Sequence, residues 1–440
     1  MKRKILVVIS EVNSLSGQKS LPLPTISGKT VIEHLLQRVA RVKPEKIGLI
    51  SGEVTDLKPE DWRKRLRIIV KKNGTLAEIL RAVDKSNFEG DLILLSSDFF
   101  LLNPDFLQAI LKAHQKSVSG LTLIAERVPA APGRQAEDYF VYPGLAVIRI
   151  ARKRRWLSDL RPFKPSGHLD VVALAKTASS PEKSIGFKWL GVEEKDGFIL
   201  INRLSDFSQA AAILRKSKVA ELEEKGVFFL SPEDVWIDLE VKIGKGTVVY
   251  PSVIIEGKTR IGRDCLIYPH CHIIGSLIGD RVKIFGSTVI EGCRVEDEAQ
   301  VGPFSRLRPG TRLRKGSRVG NFVEMKKTVF GESSKALHLS YLGDTTVEEN
   351  VNVGAGTITC NYDGEKKNKT YIEKEAFIGS GTELVAPVKV GRGAYVAAGS
   401  TITDDVSPEA LAIARSRQIE KPDWAKKRKQ QILANKKRGK

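Results

Sequence analysis

The sequence predicts two folds in succession, an α/β domain and then a parallel β-helix. Residues 1–200 alternate short apolar strands with amphipathic helices, which is the pattern of a mostly parallel sheet covered on both faces. From residue 237, aliphatic residues recur every six positions. An α-helix cannot produce this spacing because six is not a multiple of 3.6, whereas a hexapeptide repeat builds stacked coils of parallel strands.

The length and composition fit a multidomain protein with ordinary apolar cores. The 440 residues leave room for two or three domains, and 41% of them are hydrophobic. The N-terminal run MKRKILVVISEV has an apolar stretch too short for a signal peptide and is typical of a first strand. No run approaches the roughly 18 apolar residues that a membrane span needs. We therefore expect a cytoplasmic protein without a membrane span.

The four cysteines do not indicate a metal site or a disulfide framework. They stand at positions 265, 271, 293 and 360 and show no CxxC spacing. We interpret them as buried or half-buried free thiols of a reducing compartment.

The formal charge of +20 is high, and much of it lies in the tail. Residues 421–440 carry nine basic residues and one acid. Such charge suits nucleic acid, an anionic surface or a phosphate-bearing substrate. The tail has no interleaved aromatic residues and no nucleic-acid-binding motif, so nucleic acid is not expected as a partner. We expect a solvated basic tail, and a role beside an anionic cofactor stays open.

Strand and helix patterns alternate through the first domain. Strands are predicted at 4–10, 46–51, 67–72, 91–98 and 121–128, and helices at 30–42, 76–86 and 103–117. In such sheets ligands bind at the carboxyl ends of strands, so a site is expected in the loops after residues 10 and 98. A long helical pattern then predicts a connecting arm. The predicted domains are 1–202, the arm 203–226, the β-helix 227–406, and a C-terminal helix with a basic tail, 407–440.

The six-residue spacing holds over most of the second half of the chain, with two slips of one residue. After the second slip it runs to Val319 and resumes at Ile372. The positions are Ile237, Ile243, Val249, Ile255, Ile261, Ile267 and Ile273, then Ile278, Ile284 and Ile290, then Val295, Val301, Leu307, Leu313 and Val319, and finally Ile372, Ile378, Leu384, Val390, Val396 and Ile402. The stretch between, densest from 302 to 363, is rich in polar groups and is the candidate active site.

The first domain resembles the sugar-nucleotide pyrophosphorylase family. Residues 10–29, SEVNSLSGQKSLPLPTISGK, stand where that family has a glycine-rich loop, and GKTVIEHL (28–35) matches the start of its next helix. Asp98 stands where the family keeps a metal-binding aspartate. The resemblance therefore implies a Rossmann-like, nucleotidyltransferase-type domain.

The nucleotide loop itself departs from the family pattern. Ser10 to Asn13 replace the glycines whose N–H groups would cradle phosphates, and Val12 resists the tight turn. Glu11 adds a negative charge beside the expected phosphates. Ser14 stands where the catalytic arginine belongs, and Leu21 or Leu23 stands where a lysine belongs. We expect a degenerate domain without nucleotidyl transfer, in which Asp98 is a vestigial metal site and Mg²⁺ is needed only if activity is retained.

The second half carries five runs that together resemble one family. They are GPFSRLRPG (302–310), VGNFVEMKK (319–327), HLSYLGD (338–344), NVGAGTITCNYDG (352–364) and ALAIAR (410–415). They resemble the acetyltransferase half of the bacterial bifunctional enzymes that make UDP-N-acetylglucosamine for the cell wall. The resemblance implies a left-handed parallel β-helix, a homotrimer with sites between subunits, and glucosamine-1-phosphate and acetyl-CoA as substrates.

The residue types in these runs suit transfer of an acetyl group to an amine. The amine must lose a proton as it attacks, which requires a base with a pKa near neutrality, and the family assigns this role to the position of His338. Glu324 is expected to orient it. The sugar phosphate requires cations, and Arg308 and Lys326 match the family's positions. Lys367, in the inserted loop 361–371, is expected to contribute from a neighbouring subunit.

The remaining family positions are implied by the resemblance alone. Tyr341 and Asn352 match positions that hold the sugar, and Asn361 and Tyr362 match the pair beside the amine and the acetyl group. The backbone N–H of Ala355 can serve as an oxyanion donor. The other expected contacts of acetyl-CoA are Ser380, Ala398 and Arg415, the last beside the cofactor's phosphates.

Three interpretations follow, and the first is favoured. It is an N-acetyltransferase for glucosamine-1-phosphate with a silent first domain. The second is the full bifunctional enzyme with an unorthodox nucleotide loop. The third is a non-catalytic scaffold, which the joint presence of His338, Arg308, Lys326 and Asn361 argues against. A different amino-sugar phosphate as the acceptor also stays open.

Overall fold

The structure is a computed structural model that describes residues 4–10, 31–50, 66–68, 83, 88–96, 102–117, 121–128, 139–141, 145–150, 187–192 and 204–438. The chain divides into two compact units, residues 1–218 and 219–440. The two loops expected to bind a ligand, Asp98, and all of the helix predicted at 76–86 except Val83 lie outside the described residues, apart from Ser10 at the end of the first strand.

The first unit contains an eight-stranded sheet. Its strands are β1 (Ile5–Ser10), β2 (Lys46–Ile50), β3 (Leu66–Ile68), β4 (Gly90–Ser96), β5 (Leu121–Val128), β6 (Tyr139–Val141), β7 (Leu145–Ile150) and β8 (Phe187–Val192). The order is β3-β2-β1-β4-β7-β5-β6, with β8 beside β5. Helices α1 (Val31–Ala40) and α2 (Pro104–Lys116) also belong to it.

The parallel arrangement predicted from the sequence holds for one half of this sheet. Strands β1 to β4 are parallel to one another, whereas β7 runs antiparallel to both β4 and β5. Strand β6 also runs antiparallel to β5, whereas β8 runs parallel to it. The sheet is therefore mixed rather than mostly parallel.

Apolar residues of the strands and helices form the core of this unit. Val7, Ile93 and Leu35 are fully buried in one cluster that also takes in α2. Helix α2 begins at a cap, because the Asn103 side chain accepts a hydrogen bond from the Asp105 N–H at 2.9 Å. Proline at the first helical position removes a donor that has no partner there.

The second unit is a parallel β-helix of about ten coils. A third helix, α3 (Leu204–Glu224), occupies the stretch predicted as a connecting arm, and its Val219 and Leu222 pack on the β-helix core. A short 3₁₀ turn, Pro232–Asp234, lies in the first coil. The strands form three faces, which we name A, B and C.

Face A has ten strands, face B nine and face C eleven. Face A comprises Val235–Ile237, Val253–Glu256, His272–Ile274, Val289–Glu291, Arg306–Leu307, Glu324–Lys326, Tyr341–Gly343, Ile358–Cys360, Glu383–Val385 and Thr401–Ile402. Face B comprises Lys242–Ile243, Arg260–Ile261, Leu277–Ile278, Arg294–Val295, Arg312–Leu313, Val329–Phe330, Thr345–Val347, Thr370–Ile372 and Val388–Val390. Face C comprises Phe228–Phe229, Val248–Val249, Leu266–Ile267, Lys283–Ile284, Gln300–Val301, Arg318–Asn321, Lys335–His338, Asn352–Val353, Phe377–Ile378, Tyr395–Val396 and Leu411–Ala412.

The repeat positions predicted from the sequence all point inward. All of them are buried and belong to one continuous core. The register explains the slips in the spacing. Ile255 pairs with Ile273 eighteen residues later, whereas Ile273 pairs with Ile290 after only seventeen. Each slip is thus a coil that is one residue shorter.

The repeat also continues through the polar stretch, where the sequence pattern did not show it. Met325, Phe330, Ala336 and Leu342 are completely buried at the inward positions of these coils, and Val347 and Val353 follow them. Outward residues carry the polar character instead. The candidate site is therefore the surface of an ordinary β-helix and not an interruption of it.

The chain leaves the β-helix after face C and ends in an exposed helix, α4 (Trp424–Arg438). Residues 413–435 are exposed, as expected for a basic tail. Three of the cysteines are buried in the β-helix, and Cys360 is half-buried. Burial raises the pKa of Cys271 to about 11 and that of Cys293 to about 12. None of the described helices is long and apolar enough to cross a membrane.

Candidate active site

One corner of the β-helix, between faces C and A, aligns four of the predicted residues. Asn321 pairs with His338, and the register of the next coils continues the alignment. Backbone hydrogen bonds join the coils there, from Gly356 to Leu339 at 2.9 Å and from Gly381 to Ala355 at 2.7 Å. We call the set of His338, Ala355, Ser380 and Ala398 the corner column. Its members are spaced by about 4.8 Å, the distance between neighbouring strands.

The lower three residues of the corner column present unused backbone donors. The N–H groups of Ala355, Ser380 and Ala398 donate to no other group in the described part of the chain. The equivalent positions of earlier coils include Pro251, Pro269 and Pro303, which have no N–H to offer. Arg415 lies just below, since a Cβ on Gly399 would stand 3.8 Å from its Cδ. The column is a row of donors with a cation at its end.

Three predicted cations gather on the far side of face A. Arg308 and Lys326 stand at the ends of neighbouring strands, because Leu307 pairs with Met325. Lys367 reaches Lys326 within one chain, and its hydrogen bond and charge lower the pKa of Lys326. A second positive charge near Lys326 disfavours its charged form, and an anion bound beside the two side chains would relieve this. The expectation that Lys367 comes from a neighbouring subunit is therefore not needed for this contact.

Glu324 differs from its expected role. Its carboxylate accepts a hydrogen bond from Arg308 Nη1 at 2.8 Å, which raises the pKa of Arg308. Among the described contacts no hydrogen bond joins Glu324 to His338. Glu324 stands beside Tyr341 of the next coil, which lies three residues after His338. In the structure, Glu324 holds the Arg308 side chain through this hydrogen bond.

Asn361, Tyr341 and Asp344 meet around Gly343. Asn361 is 7% exposed, and its Nδ2 donates to Asp344 Oδ2 at 2.6 Å. A Cβ on Gly343 would stand 2.5 Å from the Tyr341 hydroxyl and 2.8 Å from Asn361 Nδ2. Only glycine leaves room for both side chains at this point. Sequence analysis missed Asp344, although it is the last residue of the HLSYLGD run.

The inserted loop is a compact hairpin organised by Asp363. The Asp363 carboxylate accepts hydrogen bonds from the N–H groups of Glu365 and Lys366 at 2.9 and 2.8 Å and from Asn368 Nδ2 at 2.8 Å. These bonds lower its pKa to about 2. Asp363 was also missed, because its partners are set by the turn. The hairpin fixes the backbone that carries Lys367.

Two predicted residues stand apart from these groups. Asn352 lies on face C, between Lys335 and Phe377, and so across the corner from Tyr341. Tyr362 is 60% exposed, and its hydroxyl donates to the Gly364 carbonyl at 2.5 Å. His338 is exposed at the corner. It is the point where the row of donors meets the polar surface of face A.

Such a surface can place an acyl donor along the corner and an anionic amine on face A. The corner column offers hydrogen bonds to carbonyl groups, and Lys326 with Lys367 offers charge to an anion. His338, the residue predicted to accept a proton, lies at the corner between them. A β-helix of hexapeptide repeats with these two groups of residues is typical of a hexapeptide-repeat transferase. Comparisons with known proteins agree with this class.

A family model, the hexapeptide repeat of succinyl-transferase, matches residues 369–404. The bifunctional protein GlmU of Thermotoga maritima is 36% identical over 427 residues, which cover 93% of this chain and 95% of that protein. The bifunctional protein GlmU of an Exiguobacterium strain is 49% identical, with coverage of 92% and 95%. The solved structure of CMP:2-keto-3-deoxy-manno-octonic acid synthetase complexed with CTP is 13% identical and covers 49% of this chain and 99% of its own, with a TM-score of 0.35.

The chain belongs to the family of bifunctional GlmU proteins. The match extends through both units and not only the β-helix. The predicted fold class, an α/β domain followed by a parallel β-helix of hexapeptide repeats, is confirmed. The family suggested by the five sequence runs is confirmed as well.

Proposed function

We propose that the protein transfers the acetyl group of acetyl-CoA to the amine of glucosamine-1-phosphate, giving N-acetylglucosamine-1-phosphate for UDP-N-acetylglucosamine biosynthesis. The observation that carries this proposal is the position of His338. It stands where the corner column, which suits the acyl donor, meets the cations of face A, which suit the sugar phosphate. A base is needed at the junction of the two substrates and nowhere else.

In the reaction, the amine nitrogen attacks the thioester carbonyl carbon while His338 accepts the proton that the amine loses. The carbonyl oxygen becomes negative, and the free N–H of Ala355 is the donor that stabilises it. When the carbon–sulfur bond breaks, the thiolate of coenzyme A leaves and takes up a proton. His338, which holds the proton taken from the amine, can return it to the thiolate.

The sugar phosphate is held by charge. Lys326 and Lys367 bind its phosphate as a pair, and Arg308, kept in place by Glu324, adds a planar fork of donors. Tyr341 and Asn361 line the sugar between the phosphate and His338. Asn352 and Tyr362 contribute from the corner side and from the hairpin.

The cofactor lies along the corner column. Its amide carbonyls accept from the N–H groups of Ser380 and Ala398, and Arg415 binds its phosphates. The corner next to His338 is open and exposes Phe304, Phe322 and Leu339. A homotrimer in the cytoplasm, as the resemblance implies, would cover this apolar surface with a second subunit.

We further propose that the first domain has lost uridylyl transfer, because Glu11, Val12 and Ser14 replace the residues that nucleotide binding requires. The competing possibility rests on the name of the relatives, which are bifunctional proteins. A third possibility is a different amino-sugar phosphate as the acceptor. An acetyltransferase alone, the bifunctional enzyme and an enzyme for a different acceptor would each give different products.

Product analysis separates them. The purified protein is given glucosamine-1-phosphate, acetyl-CoA, UTP and Mg²⁺, and the products are identified by mass spectrometry. We expect N-acetylglucosamine-1-phosphate to accumulate without a UDP-sugar. UDP-N-acetylglucosamine would show that the first domain retains uridylyl transfer. Absence of both would reject glucosamine-1-phosphate as the acceptor.

The role of His338 has its own test. His338→Ala should lower kcat for acetyl transfer by about 10²–10⁴-fold, because proton transfer contributes that much. The assembly state, measured by light scattering, should not change. The control is His272→Ala, since His272 is bonded to Glu256 in an earlier coil and should be dispensable. Near-normal turnover of His338→Ala would remove it from the mechanism.

A further inference from the structure

Asp344 fixes which end of the Asn361 side chain faces the substrates. An ionised carboxylate can only accept hydrogen bonds, so the atom of the amide that meets Asp344 must be the nitrogen. The separation of 2.6 Å between Asn361 Nδ2 and Asp344 Oδ2 indicates a charge-assisted bond. The oxygen, Oδ1, therefore points away from Asp344. Without that partner the amide could adopt either orientation.

The carboxylate is itself held rigidly. The Asp344 N–H donates to the Lys326 carbonyl of the neighbouring coil at 2.9 Å. Its φ of 50° lies in the left-handed region, which turns the chain sharply out of face A. The preceding residue is fixed as well, because the Gly343 N–H donates to the Thr359 hydroxyl at 2.7 Å. Asp344 cannot follow Asn361 if the amide turns.

The packing around Gly343 allows the amide little other freedom. Asn361 is 7% exposed, and its Nδ2 and the Tyr341 hydroxyl both lie over the Gly343 backbone. The Asn361 backbone is tied into the hairpin through its carbonyl, which accepts from Asn368 at 2.8 Å. The amide can then differ only in which of its ends points toward the substrates, and the hydrogen bond to Asp344 determines that end.

We infer that Asp344 is a positioning residue that makes Asn361 present a carbonyl oxygen to the substrate amine. This inference rests on the proposed function. The attacking amine has two N–H groups besides its lone pair. One proton goes to His338, and Asn361 Oδ1 accepts a hydrogen bond from the other, which directs the lone pair at the thioester. A flipped amide would offer a donor to that N–H and repel it.

The kinetic test replaces the carboxylate with its neutral isostere. Asp344→Asn lets either amide turn, so kcat should fall about 10- to 100-fold, as when a supporting contact of a functional group is lost. KM for glucosamine-1-phosphate at neutral pH should stay within about threefold, since the phosphate-binding cations remain. The matched control is Asp297→Asn, whose carboxylate accepts only a backbone bond from Asp280 in an earlier coil. It should leave both constants unchanged.

Two kinetic outcomes would overturn the inference. An unchanged kcat would show that the orientation of Asn361 does not matter. A rise in KM with kcat unchanged would show that Asp344 acts on the charge of Lys326, which it also influences. Both constants must be measured because a merely structural loss lowers the amount of folded enzyme. Such a loss lowers the apparent kcat of every preparation in proportion to the folded fraction and leaves KM unchanged, so kcat is calculated per folded enzyme.

A second measurement does not depend on turnover. A neutron crystal structure of Asp344→Ala, which distinguishes the amide nitrogen from the oxygen, should show the Asn361 amide displaced, rotated or flipped, because its one charged partner is gone. An Asn361 amide in its original place and orientation would overturn the inference even if activity fell. If the wild-type protein does not acetylate glucosamine-1-phosphate, the proposed function fails, while this structure still decides whether Asp344 positions Asn361.

Discussion

At the scale of single residues, Lys326 and Lys367 lie close enough for Lys367 to lower the pKa of Lys326. Two like charges so close are unfavourable until an anion binds beside them. Lys326 and Lys367 together therefore favour the binding of a ligand with negative charge. They also make binding sensitive to pH, because one ammonium group loses its proton more readily than usual.

This sensitivity leads to a prediction. The pKa of Lys326 lies below its usual value of 10.5, chiefly because of the hydrogen bond and charge of Lys367. As the pH rises through that lowered pKa, the ammonium group becomes neutral and KM for the sugar phosphate should increase. In Lys367→Ala the pKa of Lys326 returns upward, so the rise in KM should move to higher pH. KM at neutral pH should increase as one cation is lost.

The measurement is KM for glucosamine-1-phosphate between about pH 7 and 10.5, the upper limit being the usual pKa of lysine. Lys366→Ala is the control, since Lys366 belongs to the same hairpin and is not among the groups that shift the pKa of Lys326. The explanation is wrong if the alkaline limb stays at the same pH in Lys367→Ala.

At the scale of structural elements, the corner between faces C and A matters because it repeats. The same backbone position recurs in every coil, and what differs is whether it carries an N–H. Proline fills it at residues 251, 269 and 303, whereas Gly286, Asn321 and the corner column carry an N–H. The fold therefore tolerates proline there, so a coil does not need an N–H at this position to form.

Replacing one donor with proline tests this idea. Ser380→Pro removes the backbone N–H at a position where three other coils already hold proline. We expect KM for acetyl-CoA to rise about 5- to 10-fold, which corresponds to one hydrogen bond of about 1–1.5 kcal/mol. Ser380→Ala, which keeps the N–H, should bind acetyl-CoA normally. Equal loss in both variants would assign the effect to the hydroxyl, and no loss in either would leave the corner without a role in binding.

The sequence predicted the coil pattern well and the contacts between coils poorly. Ile255, Ile273 and Ile290 were recognisable because an inward position needs only an aliphatic residue at a fixed interval. Asp344 and Asp363 were not recognisable, because the role of a carboxylate depends on the group opposite it. For Asp344 that group is Asn361, seventeen residues away, and its position depends on the hairpin that follows.

Glu324 is a second example of a contact between coils that could not be predicted from the sequence. Glu324, in the run VGNFVEMKK, was expected to orient His338, and its carboxylate is bonded to Arg308 instead. Neighbouring strands of a β-helix are successive coils, so the partner of a side chain stands about 17 or 18 residues away. Closeness along the chain is a poor guide to contact in this fold.

At the scale of the whole molecule, the continuous core links the site to stability. Among the residues whose burial the structure describes, Phe330 is the largest of the fully buried side chains, and it lies in a coil that carries the site. Phe330→Ala should lower the free energy of unfolding of the β-helix by about 3–5 kcal/mol through the lost contacts and the cavity. Calorimetry should show this as a lower Tm.

A second phenylalanine provides the comparison. Phe322 is 58% exposed and stacks on Phe304 with ring centroids 5.2 Å apart. Phe322→Ala should change the Tm of the isolated subunit little, because few of its contacts are buried. If both substitutions lowered the Tm equally, the exposed ring would have to be buried in the assembled protein.

The corner column also sets a scale of length. Its members can be separated only by whole coils, each a step of about 4.8 Å. A point substitution changes which chemical group stands on a step but cannot move the step. The distance from His338 to the end of the row is therefore a whole number of such steps. Only the gain or loss of a complete coil could change this distance. An acyl donor of a different length would therefore have to bend to fit the protein.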